Sequence, residues 1–191
     1  HYPLRRQRQM CIRDRGDTDT AAMAHVTAEA IGGLESSVLV MSTGIIGEFL
    51  PMETIKNGIR TVADQLADND ESILRAARGF MTTDTRPKLT GTAFGKTPDG
   101  ETYQMLGMAK GAAMIGPKLA TMLGLVITDA AITPDDAQRL LLQTADLTFN
   151  CVSVDGHMST NDTVLLLANG AAGGEPSVSY THLTLPTKRI V

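Results

Sequence analysis

"LTGTAFGKTPDGETYQMLGMA", residues 89–109, is the stretch of sequence that decides the fold. Two strand-like runs in it flank the tripeptide Pro-Asp-Gly at residues 98–100. Proline presets the backbone for the second position of a turn, and Asp and Gly tolerate the conformations that follow it. Short runs of this kind on either side of a turn signal predict an antiparallel β-hairpin, from which a larger sheet can grow.

The residues that follow the hairpin predict further elements of the same sheet. Residues 120–132, "ATMLGLVITDAAI", are apolar and rich in β-branched side chains, which favours a buried strand over a helix. A helix should start next, because Thr133 can cap it and Pro134 suits its first turn. Residues 151–170 then predict a strand, a polar loop and a second strand.

The N-terminal half predicts helices and one more strand. The Ala-rich residues 17–31 indicate a capped amphipathic helix, and residues 72–78 indicate a short one. Residues 36–44, "SSVLVMSTG", predict a buried strand that ends in a turn. A further helix begins at Pro51 and should place five apolar residues on one face: Met52, Ile55, Ile59, Val62 and Leu66. This mixture of helices and strands predicts one layered domain of the α/β (α+β) class.

The composition excludes two classes of partner. The chain has 191 residues, of which 42 % are apolar and 20 % are charged, as in ordinary globular domains. Its net charge of -4 argues against a polyanionic ligand, and an aromatic content of 4 % without Trp argues against base stacking. The apolar runs are too short to span a membrane. The sequence therefore predicts neither a nucleic-acid partner nor a membrane partner.

The two ends of the chain differ from its interior. Residues 1–15 carry arginines without an apolar period, which fits a basic arm that binds nucleic acid. They also resemble the translation of a sequencing-library adapter, and residues 178–191 resemble its partner in the opposite orientation, which is the preferred interpretation. Residues 16–177 are then the native part, with 10 basic and 20 acidic residues. One cysteine remains there, Cys151, so a reducing and cytoplasmic location is expected.

Residues 107–123, "GMAKGAAMIGPKLATML", hold seven Ala or Gly residues ahead of Thr121. Small side chains let backbones approach closely, but close packing of a helix on a sheet needs the same residues. On spacing alone, Thr121 fits an ordinary strand residue better than a nucleophile, because threonine suits strands. For Lys110 taken alone, the pattern favours a lysine whose ammonium group stays in water, with its stem packed on apolar surface, over a ligand-binding residue.

Three other segments could carry chemistry, and each has a simpler interpretation. Residues 42–47, "STGIIG", offer backbone N–H groups to an oxyanion, or form a plain turn after a strand. Residues 155–162, "DGHMSTND", match neither a calcium loop nor a zinc ligand set, so a solvated loop is favoured. Cys151 lies among apolar residues, which favours a small buried side chain over a nucleophile.

Four segments together resemble one family far more specifically than any of them does alone. In chain order they are "STGIIGEFLPMETI", "GFMTTDTRPK", "GMAKGAAMIGPKLATML" and "TFNCVSVDGHMSTNDTVLLLANG". They are similar to the ornithine acetyltransferase family, whose bifunctional members are also glutamate N-acetyltransferases of arginine biosynthesis. The likeness runs from about residue 16 to about residue 170. It implies part of an α-β-β-α layered sandwich that resembles the N-terminal-nucleophile hydrolases.

The resemblance implies a precursor that cuts itself between Ala120 and Thr121. Residues 16–120 would then end the first chain and residues 121–177 would start the second, in a heterotetramer of two first and two second chains. Thr121 would attack its own preceding carbonyl, shift the acyl group from nitrogen to oxygen, and become N-terminal after hydrolysis. Its freed α-amino group, with an ordinary pKa of about 8, can accept the hydroxyl proton near neutral pH.

In the implied reaction, Thr121 takes the acetyl group of N2-acetylornithine, releases ornithine, and passes the acetyl group to glutamate. Two positions match the family's oxyanion-hole donors, namely Thr43 and Gly44. Three positions match its substrate-binding residues, namely Thr82, Lys110 and Thr121 itself. An ammonium group such as that of Lys110 suits a substrate carboxylate. Thr83 offers a second hydroxyl beside Thr82, so the choice between these two neighbours stays open.

The resemblance implies no metal and no prosthetic group, and acetyl-CoA would be a co-substrate only in bifunctional members. The chain departs from the family pattern at Lys118, where many relatives have Asn, and at His157, where Asp is common. It has about half of the family's length, so we expect it to be inactive alone and to expose apolar edges. An aminopeptidase or related hydrolase of the same architecture is the alternative enzyme, and a small acidic binding module is the non-enzyme alternative.

Overall fold

A computed structural model describes residues 13–45, 48–96, 100, 102–116, 122–157 and 162–174. The chain forms two compact units, His1–Ile73 and Leu74–Val191. Helices and a four-stranded sheet make up the described residues, so the predicted mixed α/β class is confirmed. These residues hold one sheet, whereas the complete sandwich that the resemblance implies has two. No helix among them is long and apolar enough to cross a membrane.

Two helices of the first unit, α1 (Arg13–Ile31) and α2 (Met52–Ala63), pack against each other. The helix predicted to start at Asp17 begins earlier, within the stretch that resembles adapter translation. In this added turn Arg15 lies 3.9 Å from the centre of the Phe49 ring, where its cation can interact with the aromatic face. Helix α1 therefore begins at Arg13, four residues before the start at Asp17 that its sequence pattern predicts.

The predicted strand at residues 36–44 is wrong. Glu35–Ser37 forms a 3₁₀ turn, and residues 38–45 follow it without regular secondary structure. Residues 38–41 are only half-buried, although their sequence is apolar. A strand needs backbone hydrogen bonds from a neighbouring strand. The described residues of the first unit include helices but no strand that supplies those bonds.

Helix α2 follows Pro51 directly, as predicted, but its apolar face is only partly covered. Its isoleucines are half-buried, whereas Val62 is 59 % exposed and Leu66 lies beyond the end of the helix. The next helix, α3 (Asp70–Gly79), confirms the predicted short helix with slightly wider bounds. The apolar face of α2 is therefore half-buried along most of its length and exposed at Val62.

The second unit is built on four strands that neighbour one another in chain order: β1 (Lys88–Lys96), β2 (Thr102–Lys110), β3 (Leu123–Thr128) and β4 (Thr163–Ala168). β1 and β2 form the predicted antiparallel hairpin, and residues 97–99 of its turn lie outside the described residues. β3 pairs antiparallel with β2 and parallel with β4, which confirms the strands predicted at both positions.

A helix connects the parallel strands β3 and β4, because parallel neighbours need a long crossover connection. This helix, α4 (Pro134–Leu147), starts as predicted. Thr133 is its N-cap, and the Thr133 Oγ1 accepts a hydrogen bond of 3.2 Å from the Asp136 backbone N–H. The cap satisfies one of the N–H groups that have no partner inside the first turn of a helix.

The predicted strand that starts at Cys151 is wrong, and so is the expected burial of its side chain. α4 is followed by a 3₁₀ turn, Phe149–Cys151, and Cys151 is exposed. The turn is closed by local hydrogen bonds, from Thr148 Oγ1 to the Thr144 carbonyl and from the Cys151 N–H to the Thr148 carbonyl. Local bonds of this kind compete with strand formation.

The core of the second unit lies between the sheet and the segment that follows β3. It is formed by four buried residues, Tyr103, Met105, Val126 and Ala130. The start of β2 alternates exposed and buried residues, as expected of a strand with one solvated face. The last three residues of β2, Met108, Ala109 and Lys110, are all buried. This end of β2 is therefore covered on both faces, and the candidate site is built there.

Replacing Thr133 with alanine should lower the free energy of unfolding by about 1 kcal/mol, because the first turn of α4 loses its cap. Chemical denaturation of the chain measures this loss. Thr133→Ser keeps an acceptor oxygen at the same position and should lose much less. Equal losses in the two variants would show that the methyl group, and not the cap, stabilises this helix start.

Candidate active site

Lys110, the last residue of β2, is buried beside Thr82. Only 3 % of Lys110 is exposed, and its Nζ donates a hydrogen bond of 2.9 Å to Thr82 Oγ1. Thr82 lies between α3 and β1, so the fold brings together two predicted substrate-binding residues that are 28 positions apart. The interpretation of Lys110 that its local sequence favours, with the ammonium group in water, is wrong because the whole residue is buried.

Asp84 fixes the backbone around this pair. Its Oδ1 accepts hydrogen bonds from Lys88 Nζ and, at 2.9 Å, from the Gly111 N–H, while its Oδ2 accepts from the Thr82 N–H at 3.4 Å. Lys88 Nζ also donates to the Gly111 carbonyl at 2.7 Å. The Asp84 and Lys88 side chains thus tie the segment that carries Thr82 to the residue that follows Lys110.

Burial acts on the charges of this cluster in different ways. Burial alone would raise the pKa of Asp84, but hydrogen bonds, chiefly from Lys88 and Gly111, outweigh it and hold that pKa below its ordinary value. Burial lowers the pKa of Lys110, although the carboxylates of Asp84 and Asp162 oppose that effect. Lys110 is thus a buried ammonium group with a hydroxyl partner, and such a group is suited to an anionic ligand.

The sheet register places three distant parts of the chain beside Lys110. Lys110 pairs with Leu123 across β2 and β3, and Leu123 pairs with Thr163 across β3 and β4. The end of β2 and the starts of β3 and β4 therefore lie side by side. Ala120 and Thr121 lie outside the described residues, so the cleavage site and the nucleophile remain predictions.

Asp162 and Thr163 hold the backbone of Met122, the residue that follows Thr121. The Met122 N–H donates to Asp162 Oδ1 at 2.9 Å, and the Met122 carbonyl accepts from the Thr163 N–H at 3.1 Å. Asp162 Oδ2 is buried and has no hydrogen-bond partner among the described residues. Burial raises the pKa of Asp162 to about 6, although the Met122 hydrogen bond and the charge of Lys110 act to lower it.

Sequence reasoning did not identify Asp84 or Asp162 as site residues. Asp84 was visible only as an acid within "TTDT", and Asp162 was assigned to a solvated loop. The solvated loop is confirmed for residues 155–157, which are exposed, and is wrong for Asp162, which is half-buried. A possible signal was the position of Asp162 directly before the apolar run of β4, at the point where a strand enters the sheet.

At Gly116, one of the small residues before Thr121, the lack of a side chain allows a close approach to the backbone of Gly156. A Cβ atom on Gly116 would lie 3.0 Å from the carbonyl carbon and oxygen of Gly156, so only glycine allows this approach without moving backbone. Asp155 holds the two segments together, because its carboxylate accepts the N–H groups of Met114 at 2.8 Å and Ile115 at 3.1 Å. Backbone hydrogen bonds, first from Met114 and next from His157, hold the pKa of Asp155 below its ordinary value.

The two departures from the family pattern fall in different places. His157 is exposed, and its backbone N–H donates to Asp155 Oδ1 at 3.1 Å. Lys118 lies outside the described residues. Across the described ranges, no group of three or more His, Cys, Asp or Glu side chains is arranged to hold a metal ion.

Thr43 and Gly44 belong to the first unit, in a segment without regular secondary structure. Thr43 is half-buried and Gly44 is exposed. A hydrogen bond of 3.2 Å from the Glu48 N–H to the Ile45 carbonyl closes a turn directly after them. Residues 46–47 of the predicted turn lie outside the described residues, and the role of Thr43 and Gly44 as oxyanion donors remains a prediction.

Comparison with known proteins identifies the family to which the chain is similar. The sequence profile of the ArgJ family matches residues 8–188. The arginine biosynthesis bifunctional protein ArgJ of Geobacter sulfurreducens is 47 % identical over 166 residues, which are 85 % of this chain and 40 % of that protein. The mitochondrial protein of the same name from Meyerozyma guilliermondii is 47 % identical over 161 residues, 84 % of this chain and 36 % of that protein.

Among solved structures, that of the arginine biosynthesis bifunctional protein ArgJ from Bacillus halodurans is 40 % identical, with a TM-score of 0.49. The match covers 56 % of this chain and 55 % of that one. The chain belongs to the ArgJ family, and the predicted resemblance to ornithine acetyltransferases is confirmed. It spans a little over a third of the length of the curated relatives that it matches.

Replacing Asp84 with asparagine should lower the free energy of unfolding by about 3 kcal/mol at pH 7, because Lys88 loses its carboxylate partner. The native pKa of Asp84 is lowered, so its carboxylate stabilises the fold above the unfolded pKa of 3.8. That stabilisation is lost as the pH falls through the lowered native pKa. The deficit of the variant should therefore shrink in acid.

Chemical denaturation at about pH 7 and at about pH 3 measures both deficits. Asp68→Asn is the matched control. Asp68 is exposed, so removing its charge should change the free energy of unfolding very little. A deficit for Asp84→Asn that is the same at both pH values would contradict a stabilisation based on charge.

Proposed function

We propose that the protein to which this chain belongs transfers the acetyl group of N2-acetylornithine to glutamate in arginine biosynthesis. Self-cleavage between Ala120 and Thr121 first frees the α-amino group of Thr121, and the acetyl group then passes through an ester on its hydroxyl. Two observations support this proposal: membership of the ArgJ family, and the names of relatives, which describe bifunctional proteins of arginine biosynthesis.

The structural observation that carries the proposal is the hydrogen bond of 2.9 Å from the buried Lys110 Nζ to the Oγ1 of Thr82, which is itself exposed. N2-acetylornithine and glutamate both carry a carboxylate next to the nitrogen that loses or gains the acetyl group. One buried ammonium group can therefore bind the same part of the donor and of the acceptor. Burial strengthens this attraction, because the local dielectric constant is lower than that of water.

The acetyl group moves in two similar steps. The Thr121 hydroxyl oxygen attacks the acetyl carbonyl of N2-acetylornithine while the α-amino group of Thr121 takes the hydroxyl proton. The tetrahedral oxyanion is stabilised by donors at Thr43 and Gly44, and it collapses as the C–N bond breaks. The ornithine nitrogen leaves with the proton from the α-ammonium group of Thr121. The glutamate amine then attacks the ester, its proton passes by way of the α-amino group of Thr121 to the Thr121 oxygen, and the bond from that oxygen to the acetyl carbon breaks, which restores the free hydroxyl.

We propose no metal or prosthetic group for this reaction, and acetyl-CoA as a further acetyl donor if the protein is bifunctional like its named relatives. The two chains made by self-cleavage are proposed to assemble as two copies of each. A cytoplasmic location is also proposed; the Meyerozyma guilliermondii relative is mitochondrial by name, whereas the name of the Geobacter sulfurreducens relative gives no compartment.

The protein rebuilt to full length should convert N2-acetylornithine and glutamate to ornithine and N-acetylglutamate. Intact-mass measurement should show two chains, the second starting at Thr121. When N2-acetylornithine is added without glutamate, the mass of the second chain should rise by about 42 Da, which corresponds to about one acetyl group per chain. Thr121→Ala should give one uncut and inactive chain. Thr83→Ala should cut and react normally.

Acetate release that does not depend on glutamate would favour the alternative of an N-terminal-nucleophile hydrolase, since water would then be the acceptor. The relatives in arginine biosynthesis do not favour that alternative. An uncut parent protein, or a Thr121→Ala variant with full activity, would overturn the proposed nucleophile.

Thr82→Ala should raise the KM for N2-acetylornithine about ten-fold, because Lys110 loses a hydrogen bond that orients its charge. Thr83 is also an exposed threonine of this segment, but it makes no such bond to Lys110. Thr83→Ala should therefore leave KM unchanged. Steady-state kinetics of the two variants decide between these neighbouring hydroxyls, and equal effects would contradict the special role of Thr82.

A further inference from the structure

Asp162 is the carboxylate of this site that the reaction described above does not use. It lies directly before β4, and its two oxygens have different surroundings. Oδ1 accepts the hydrogen bond of 2.9 Å from the Met122 N–H, while Oδ2 is buried without a hydrogen-bond partner among the described residues. A buried carboxylate oxygen without a donor is costly, so a group that occupies this place in the working enzyme should be a donor.

The backbone of Met122 is held from both sides. Its N–H is bound by Asp162 and its carbonyl by the Thr163 N–H at 3.1 Å, and the next residue, Leu123, pairs with Thr163 in the sheet. Thr121 is joined to Met122 by the same peptide group whose N–H Asp162 binds. The backbone nitrogen of Thr121 is therefore only three covalent bonds from a nitrogen that touches the Asp162 carboxylate.

We propose that Asp162 is a positioning residue for the nucleophile: Oδ1 fixes the peptide after Thr121, and Oδ2 accepts a hydrogen bond from the α-amino group that self-cleavage frees. The inference rests on the proposed function, because it needs Thr121 to become N-terminal. The carboxylate orients the amine and stabilises the ammonium group that forms while the Thr121 hydroxyl attacks. No proton has to move to Asp162 in this scheme.

The charges that face Asp162 agree with this assignment. Among the described residues, the charged group that acts on its carboxylate is Lys110, on β2, and Lys110 in turn interacts with Asp84 and Lys88. Burial raises the pKa of Asp162 to about 6, so the group is mostly ionised at neutral pH and loses its charge in mild acid. A carboxylate beside an amine favours the charged form of the amine and raises the amine pKa.

The test compares two substitutions in the rebuilt full-length protein. Asp162→Asn keeps an oxygen that can accept the Met122 N–H but removes the charge, whereas Asp162→Ala removes both. Asp155→Asn is the matched control, because Asp155 also accepts two backbone N–H groups but serves the loop at Met114 and Ile115. Self-cleavage is followed by intact mass, and kcat, KM and their pH dependence are measured on the two-chain enzyme.

For Asp162→Asn we expect kcat to fall about 100-fold, the lower end of what a positioned acid–base group contributes, with KM for N2-acetylornithine within about two-fold of the parent. The ascending limb of its kcat–pH profile should move to lower pH, because the amine loses the carboxylate that raised its pKa. Asp162→Ala should in addition lose stability in thermal unfolding. Asp155→Asn should match the parent in kcat and in pH profile.

An Asp162→Asn enzyme with the kcat and pH profile of the parent would overturn the proposal while leaving the proposed function intact. A fall in kcat without a shift of the ascending limb would also overturn it, because a merely structural role predicts that result. If the parent itself forms no N-acetylglutamate, the proposed function fails instead, so the two failures are distinguishable.

Discussion

The hydrogen-bond ladder that joins β2, β3 and β4 is the constraint on which the candidate site depends. Its register aligns Lys110, Leu123 and Thr163, so that the end of one strand and the starts of two others share one edge. Successive side chains of a strand point to opposite faces, so a slip of one residue would carry Lys110 to the other side of the sheet. The position of the ammonium group is therefore set by the whole ladder and not by local sequence.

The site shows how environment separates the behaviour of one residue type. Asp84 receives several hydrogen bonds and has a lowered pKa, whereas Asp162 receives one from Met122 and has a raised pKa. Asp84 is buried and Asp162 is half-buried, and Asp84 also receives more hydrogen bonds, which outweigh its burial and hold its pKa low. Asp84 is in this sense a structural charge, with every partner already in place. Asp162 keeps one oxygen, Oδ2, without a hydrogen-bond partner among the described residues. A buried polar atom of this kind is often found in groups that bind or position a ligand or a reacting group.

The sequence allowed the elements with strong local signals to be predicted. The Pro-Asp-Gly hairpin and the capped start of α4 depend on turn and cap chemistry within a few residues, and both are present. Two predicted strands, at residues 36–44 and at Cys151, fail because an apolar run becomes a strand only beside a partner strand. The burial of Lys110 was likewise hidden, because it arises from contacts with residues far away in the chain.

The candidate site divides in the same way. Thr82 and Lys110 came from a resemblance of motifs, and the fold brings them into contact across 28 positions. Asp84 and Asp162 belong to segments that carry the resemblance, but the sequence of those segments does not show which acid is buried.

If the chain is cut before Thr121, the two new ends would be held at different distances from the sheet. Met122 alone separates the new amino end from a paired strand, whereas on the other side the nearest anchoring hydrogen bond among the described residues is at Ile115, five residues and up to about 17 Å of chain before the cut. The new amino end would therefore start one residue away from the same hydrogen-bond ladder that positions Lys110.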